Sequence, residues 1–143
     1  MTQHPGDTLT GQSGKEWPPL DYHVEPEAIK RFVRAIGDAN NLWEKVAPPT
    51  FATILGFDRF IEQTLDMGAF DTLLHGKTEL ETFLSVRPDD SITVSTKISD
   101  LRQRKSKTGS VTFINFETNY TNQRKELVAK CQQLVIGYQG VGL

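Results

Sequence analysis

The chain has 143 residues, enough to bury one substantial core and too few for two domains. Apolar residues make up 37% and charged residues 24%, with a net charge of −2, so neither sign dominates and nothing supports nucleic acid or an anionic membrane as a partner. Its one cysteine, Cys131, excludes an internal disulfide and a cysteine metal cage; in an apolar-alternating segment it reads as a small buried hydrophobe.

Residues 1–20 are rich in Gly, Ser, Thr, Gln and Pro and predict a flexible tail before a single domain over 21–143. Trp17, in Glu16-Trp17-Pro18-Pro19, is the residue expected to anchor that tail on the body. The first fourteen residues lack the apolar run of a secretory signal. No stretch approaches the roughly 20 apolar residues that span a bilayer, so a soluble, cytoplasmic protein is expected.

Glu25-Pro26-Glu27 opens a helix, since proline fits the first turn and acids there favour the helix dipole. Ile29, Phe32, Val33 and Ile36 give it one apolar face, and Gly37 stops it. Pro48-Pro49-Thr50 introduces a second helix over about 51–65. Phe51, Ile54, Leu55, Phe57, Phe60, Ile61 and Leu65 spread around its circumference, which predicts burial on most sides.

From about residue 77 the apolar period becomes two. Leu80, Phe83 and Val86 suggest a first strand, Ile92, Val94 and Ile98 a second, Val111–Tyr120 a third and Leu127–Tyr138 a fourth. Turn signals at 87–90, 107–110 and 121–123 separate them, and connections this short imply antiparallel neighbours. The third strand is apolar on both faces, so its sheet is expected to meet a second surface, a partner subunit being the natural candidate. The fold class is α+β: an antiparallel sheet wrapped around a long central helix.

Four motifs now stand in order: Ala35-Ile36-Gly37-Asp38-x-Asn40, Ala47-Pro48-Pro49-Thr50-Phe51, Leu74-His75-Gly76 and the run Thr112–Asn122. Together they resemble the MaoC-like dehydratase family, in its N-terminal branch that includes non-catalytic subunits of 3-hydroxyacyl-thioester dehydratases. The likeness covers about residues 22–137. It implies a hot-dog fold paired as a double hot-dog, and (R)-specific hydration or dehydration of acyl thioesters on coenzyme A or acyl carrier protein, with no cofactor. In active members an Asp-x-Asn-Pro-x-His motif supplies an Asp/His dyad acting on one water, and a backbone N–H polarises the thioester carbonyl.

Laid on this chain, Asp38 takes the Asp place and Asn40 the Asn place, while Asn41 stands for the usual proline and Trp43 for the histidine. Indole has one N–H donor and no lone pair to accept a proton. The chain alone is therefore expected to be inactive, with a homologous catalytic subunit supplying the dyad. The resemblance also marks Gly37, Asn40, Trp43, Pro49, Thr50 and Gly76 as substrate-binding candidates.

Each candidate has a plainer reading. Asp38 either ends a helix by accepting backbone N–H bonds or contacts thioester or a partner loop. Asn40 bridges backbone groups in the turn. Trp43 packs at an interface or lines an acyl or CoA pocket. His75, the one histidine inside the matched core, is a turn residue with local hydrogen bonds or a relocated base opposite Asp38; nothing at ligand spacing beside it suggests a metal. Arg102, Arg104, Lys105 and Lys107 form a solvated hairpin tip or meet the phosphates of CoA or an acidic carrier protein. Three functions remain open: a subunit of a heteromeric hydratase or dehydratase, a thioester-binding scaffold without turnover, and a homodimeric enzyme rebuilt on Asp38 and His75.

Overall fold

A computed structural model describes residues 13–68 and 70–140. Five strands form one sheet: β1 (Leu20–His23), β2 (Thr72–Thr82), β3 (Ser91–Ser106), β4 (Gly109–Thr121) and β5 (Leu127–Gln139). Their order is β1-β3-β4-β5-β2, and every neighbouring pair is antiparallel. The β3–β4 and β4–β5 hairpins turn at the predicted 107–110 and 121–123 signals.

Before β1, the chain already runs along β3. The amide of Trp17 donates to the Thr96 carbonyl at 3.1 Å, and Glu16 bridges Lys97. The Trp17 ring lies 5.9 Å from that of Phe116. Of the stretch read as a flexible tail, residues 1–12 lie outside the described residues, while 14–17 and 20–23 hydrogen-bond along the β3 edge.

The first helix, α1 (Pro26–Ile36), begins at the proline and ends at Gly37 as the sequence predicts. Ile29 is buried and Phe32 packs edge-on against Phe51 at 5.6 Å, but Ile36 is exposed. The second helix differs from expectation. A 3-10 helix over Pro49–Ile54 is followed by Leu55 in an extended conformation and Gly56 at φ +77°, and only then by α2 (Phe57–Leu65). Gly56 takes the left-handed turn that interrupts what read as one long helix.

Burial is one-sided too. Phe60, Gln63 and Thr64 of α2 are buried, with Phe60 edge-on to Phe116 at 5.0 Å. Ile54, Phe57, Ile61 and Leu65 are 44–59% exposed in the single chain. Predicted burial on most sides therefore fails for one chain by itself, and an apolar stripe is left uncovered.

Two core clusters lie on the helix side of the sheet. One gathers Val24, Ile29, Phe51, Ile92, Val128 and Cys131; the other gathers Phe60, Met67, Ile98, Ile114, Phe116 and Val135. Along β4 the even-numbered residues from Thr112 to Tyr120 are buried and the odd ones half-buried, the two-faced strand that the alternation predicts. Burial raises the pKa of the Tyr120 phenol and of the Cys131 thiol, which suits the reading of Cys131 as an unreactive hydrophobe.

The first predicted strand shifts N-terminally. Residues 72–82 pair with β5, whereas Phe83 and Val86 fall beyond the strand. Among the described residues the other side of β2 pairs with nothing, so β2 is a free edge. Among the same residues no helix is long and apolar enough to cross a membrane.

Gly137 of β5 carries Phe70 on its face: a Cβ there would lie 2.5 Å from Phe70 Cδ1. Gly137→Ala is expected to destabilise the fold by about 1–2 kcal/mol, because overpacking costs about 1–3 kcal/mol against the roughly 0.4–1 kcal/mol gained from a stiffer unfolded chain. Urea denaturation checks this, and Phe70→Leu in the same chain should recover part of the loss.

Candidate functional site

The site begins where α1 stops. Gly37 adopts φ +70°, its N–H reaches the Arg34 carbonyl, and the Asp38 N–H reaches that of Val33. This turn aims Asp38 back over the following residues. Asp38 Oδ1 accepts the Asn40 N–H at 3.1 Å, and Asn40 Oδ1 accepts the Leu42 N–H at 3.0 Å, capping a 3-10 helix over Asn41–Glu44. The other carboxylate oxygen, Asp38 Oδ2, accepts the indole N–H of Trp43 at 2.9 Å.

Asp38 and Trp43 thus face each other as a donor–acceptor pair, at the two positions where the resemblance places an Asp/His dyad. In this pair the indole donates and has nothing with which to take a proton from water. Asn40 serves as the bridging turn residue of the plainer sequence reading.

Beside this turn runs a groove of about 700 Å³ floored by Pro26, Ile29, Val33, Pro88 and Trp43, with Asp38 on its wall. A second cavity of about 260 Å³ is lined by Trp43, Pro49, Ala52 and Val128. A third hollow of about 620 Å³ opens between the exposed stripe and the edge strand, lined by Thr50, Ile54, Phe57 and Thr78.

His75 belongs to this last region. It sits at a bulge of β2, where the register slips between His75 and Lys77, and its Nε2 is 2.6 Å from Thr78 Oγ1. Gly76 lies in the bulge, where a Cβ would press on Leu134 at 3.1 Å. The structure therefore divides the predicted residues. Gly37, Asp38, Asn40 and Trp43 gather at the α1 turn, Pro49 lines the small cavity, and Thr50, His75 and Gly76 belong to the β2 side. Within one chain Asp38 and His75 share neither a hydrogen bond nor a cavity among the described residues. Thr78, His75's partner, went unread because only the bulge brings its hydroxyl under the ring.

Three of the four basic residues lie on a strand and not at the hairpin tip. Arg102, Arg104 and Lys105 lie on β3 itself, opposite Phe113, Val111 and Ser110, and only Lys107 falls in the turn. Arg102 Nε is 3.4 Å from Asp100 Oδ2, the Arg104 guanidinium stands 6.0 Å over the Phe113 ring, and Lys105 is exposed. Among the described residues no group of three His, Cys, Asp or Glu side chains is placed to hold a metal.

The family model "FAS1-like, dehydratase domain region" matches residues 11–131. A UPF0336 protein of Streptomyces avermitilis is 28% identical over 105 residues, 62% of this chain and 70% of that protein. Among solved structures, the ChsH1-ChsH2 complex of Mycobacterium tuberculosis superposes with a TM-score of 0.74 at 18% identity, over 97% of this chain and 93% of the other. The HadBC complex of the same organism, a (3R)-hydroxyacyl-ACP dehydratase, gives 0.70 at 19% identity, over 88% and 97% of the two chains. The R-hydratase PhaJ1 of Pseudomonas aeruginosa gives 0.63 at 14% identity, over 92% and 86%. The chain belongs to this FAS1-like dehydratase family and has the hot-dog fold of the MaoC-like dehydratases.

Proposed function

We propose that this chain is a subunit of an (R)-specific enoyl-thioester hydratase or 3-hydroxyacyl-thioester dehydratase, in which a homologous hot-dog partner supplies the catalytic Asp and His. The carrying observation is the Asp38–Trp43 pair, whose indole N–H spends its one proton on Asp38 Oδ2 at 2.9 Å. Adding water across a double bond needs a group that accepts a proton from water and one that returns a proton to carbon. An indole does neither.

The remaining features support a structural share in a joint site. The unpaired edge of β2 and the exposed stripe Ile54, Phe57, Ile61 and Leu65 lie on either side of the hollow that Thr50 and Thr78 line. An edge and an apolar face together are what a second hot-dog domain would cover. Two of the similar structures are complexes of different subunits, ChsH1-ChsH2 and HadBC. On this reading Gly37, Asn40, Trp43, Pro49, Thr50 and Gly76 shape an acyl channel, and Arg102, Arg104 and Lys105 meet the anionic CoA or carrier protein that presents a cytoplasmic thioester.

The test is hydration of a short enoyl-CoA by the purified chain alone and by the chain co-expressed with a homologue that carries Asp-x-Asn-Pro-x-His. Background rates alone and a rise of about 10²-fold or more on adding the partner are expected, that being the least a general acid–base pair contributes. Enzymatic rates from the chain alone overturn the subunit reading. Thioester binding with no turnover in either sample favours a scaffold.

A further inference from the structure

The groove along α1 and the neighbouring cavity have one lining residue in common, Trp43. A residue that borders both is placed to stand as a wall between them. The groove, at about 700 Å³, is of a size that takes a small molecule, whereas the cavity, at about 260 Å³, falls just short of that range. The cavity is lined by Val46, Ala47, Ala52, Val128 and Ala129 together with the polar Thr82 and Ser85. The groove sets Pro26, Ile29, Val33 and Pro88 beside the charged Glu27, Lys30, Arg34 and Glu44.

The wall is also held in place. Trp43 Nε1 donates to Asp38 Oδ2 at 2.9 Å, Asp38 is itself fixed by the Asn40 N–H, and the Trp43 backbone N–H donates to the Asn40 carbonyl at 3.1 Å. A ring bonded at its edge and anchored through its own helical turn cannot swing aside without breaking one of these bonds.

We propose that Trp43 is a partition that sets the length of straight hydrocarbon chain this site accepts, with Asp38 as the positioning residue that holds it shut. The identity of the natural ligand as an acyl thioester rests on the function proposed above; the partition rests on the two hollows alone.

Isothermal calorimetry on the full chain with straight-chain fatty acids of about six to sixteen carbons separates the two, because each further buried methylene tightens binding about fourfold, or about 0.8 kcal/mol. In the unmodified protein the affinity rises with length and then levels off. In Trp43→Ala the rise continues for about two or more further carbons before levelling. Adding Thr82→Phe, an exposed residue on the rim of the rear cavity, brings the limit back. Trp43→Phe, which keeps a ring and loses the N–H, levels off between the two. Should Trp43→Ala not fold by circular dichroism, Trp43→Leu is read in its place. The same length profile in the unmodified and truncated proteins, or no fatty acid bound by either, overturns the partition. Acyl-CoAs bound no more tightly than free acids of equal length would remove the thioester reading and leave the partition standing.

Discussion

Phe116→Ala is expected to lower the unfolding free energy by about 3–5 kcal/mol, the range for truncating a large buried aromatic. Folded domains of this size hold only about 5–15 kcal/mol in total, so about a fifth or more of the stability goes with one ring. Phe116 is 0% exposed and stands at the middle of β4, between Phe60 of α2 at 5.0 Å and Trp17 of the N-terminal segment at 5.9 Å. Removing it loosens three layers at once: helix, sheet and the strip that covers the β3 edge. Phe83 is the control, because it has the same side chain but is 51% exposed. Phe83→Ala should change the isolated chain by no more than about 0.5 kcal/mol. Urea denaturation followed by far-UV circular dichroism, at equal protein concentration, measures both. Equal losses at the two positions would mean that the core is not where the fold puts it.

The sheet was readable because β4, and β3 from Ile92 to Ile98, place Val, Ile, Thr, Phe and Tyr at every second position. One strand escaped and one was misplaced, each for a physical reason. β1 is four residues long and follows two prolines, so its alternation of Leu20 and Tyr22 is too brief to register. β2 is a free edge with Lys77, Thr78 and Glu79 exposed in succession, and the bulge at Gly76 shifts its phase halfway. A strand with neither face fully buried in its own chain gives no period to read. The helix misreading has the same root. Residues 51–65 are apolar all round because two different surfaces have to be apolar, one for the sheet and one left exposed. Periodicity reports that a residue is apolar without saying what covers it, and the break at Gly56 had only the glycine itself as a signal.

At the site, the turn from Gly37 to Trp43 was legible since all its bonds are local, reaching no further than five residues along the chain. What Trp43 divides was not legible. The rear cavity is lined by Thr82–Val86 and by Val128 and Ala129, some forty and eighty-five residues further along the chain than the 3-10 helix, and the pairing of Thr82 with Ala129 in the β2–β5 ladder brings these two segments together. Likewise nothing in the linear order said that His75 would bond Thr78 across a bulge instead of facing Asp38.

That separation leads to the prediction that most sharply divides the possible chemistries. In the partnered enzyme, Asp38→Ala and His75→Ala are each expected to reduce kcat by less than about tenfold, where loss of a general acid or base costs about 10²–10⁴-fold. Asp38 spends Oδ1 on the Asn40 N–H and Oδ2 on the Trp43 indole, so its loss should loosen the turn, lower the melting temperature and act on KM as the ring is released. His75 bonds Thr78 at an exposed edge, so its loss should act through assembly with the partner and be restored at high subunit concentration. If the two residues instead formed a catalytic pair across two copies of this chain, both substitutions would lower kcat by that full factor. The double variant would then fall no further than either single one, as expected of groups that act as a unit. Steady-state hydration kinetics on the two single variants and the double variant, each with and without the partner subunit, distinguish a positioned turn from a working dyad.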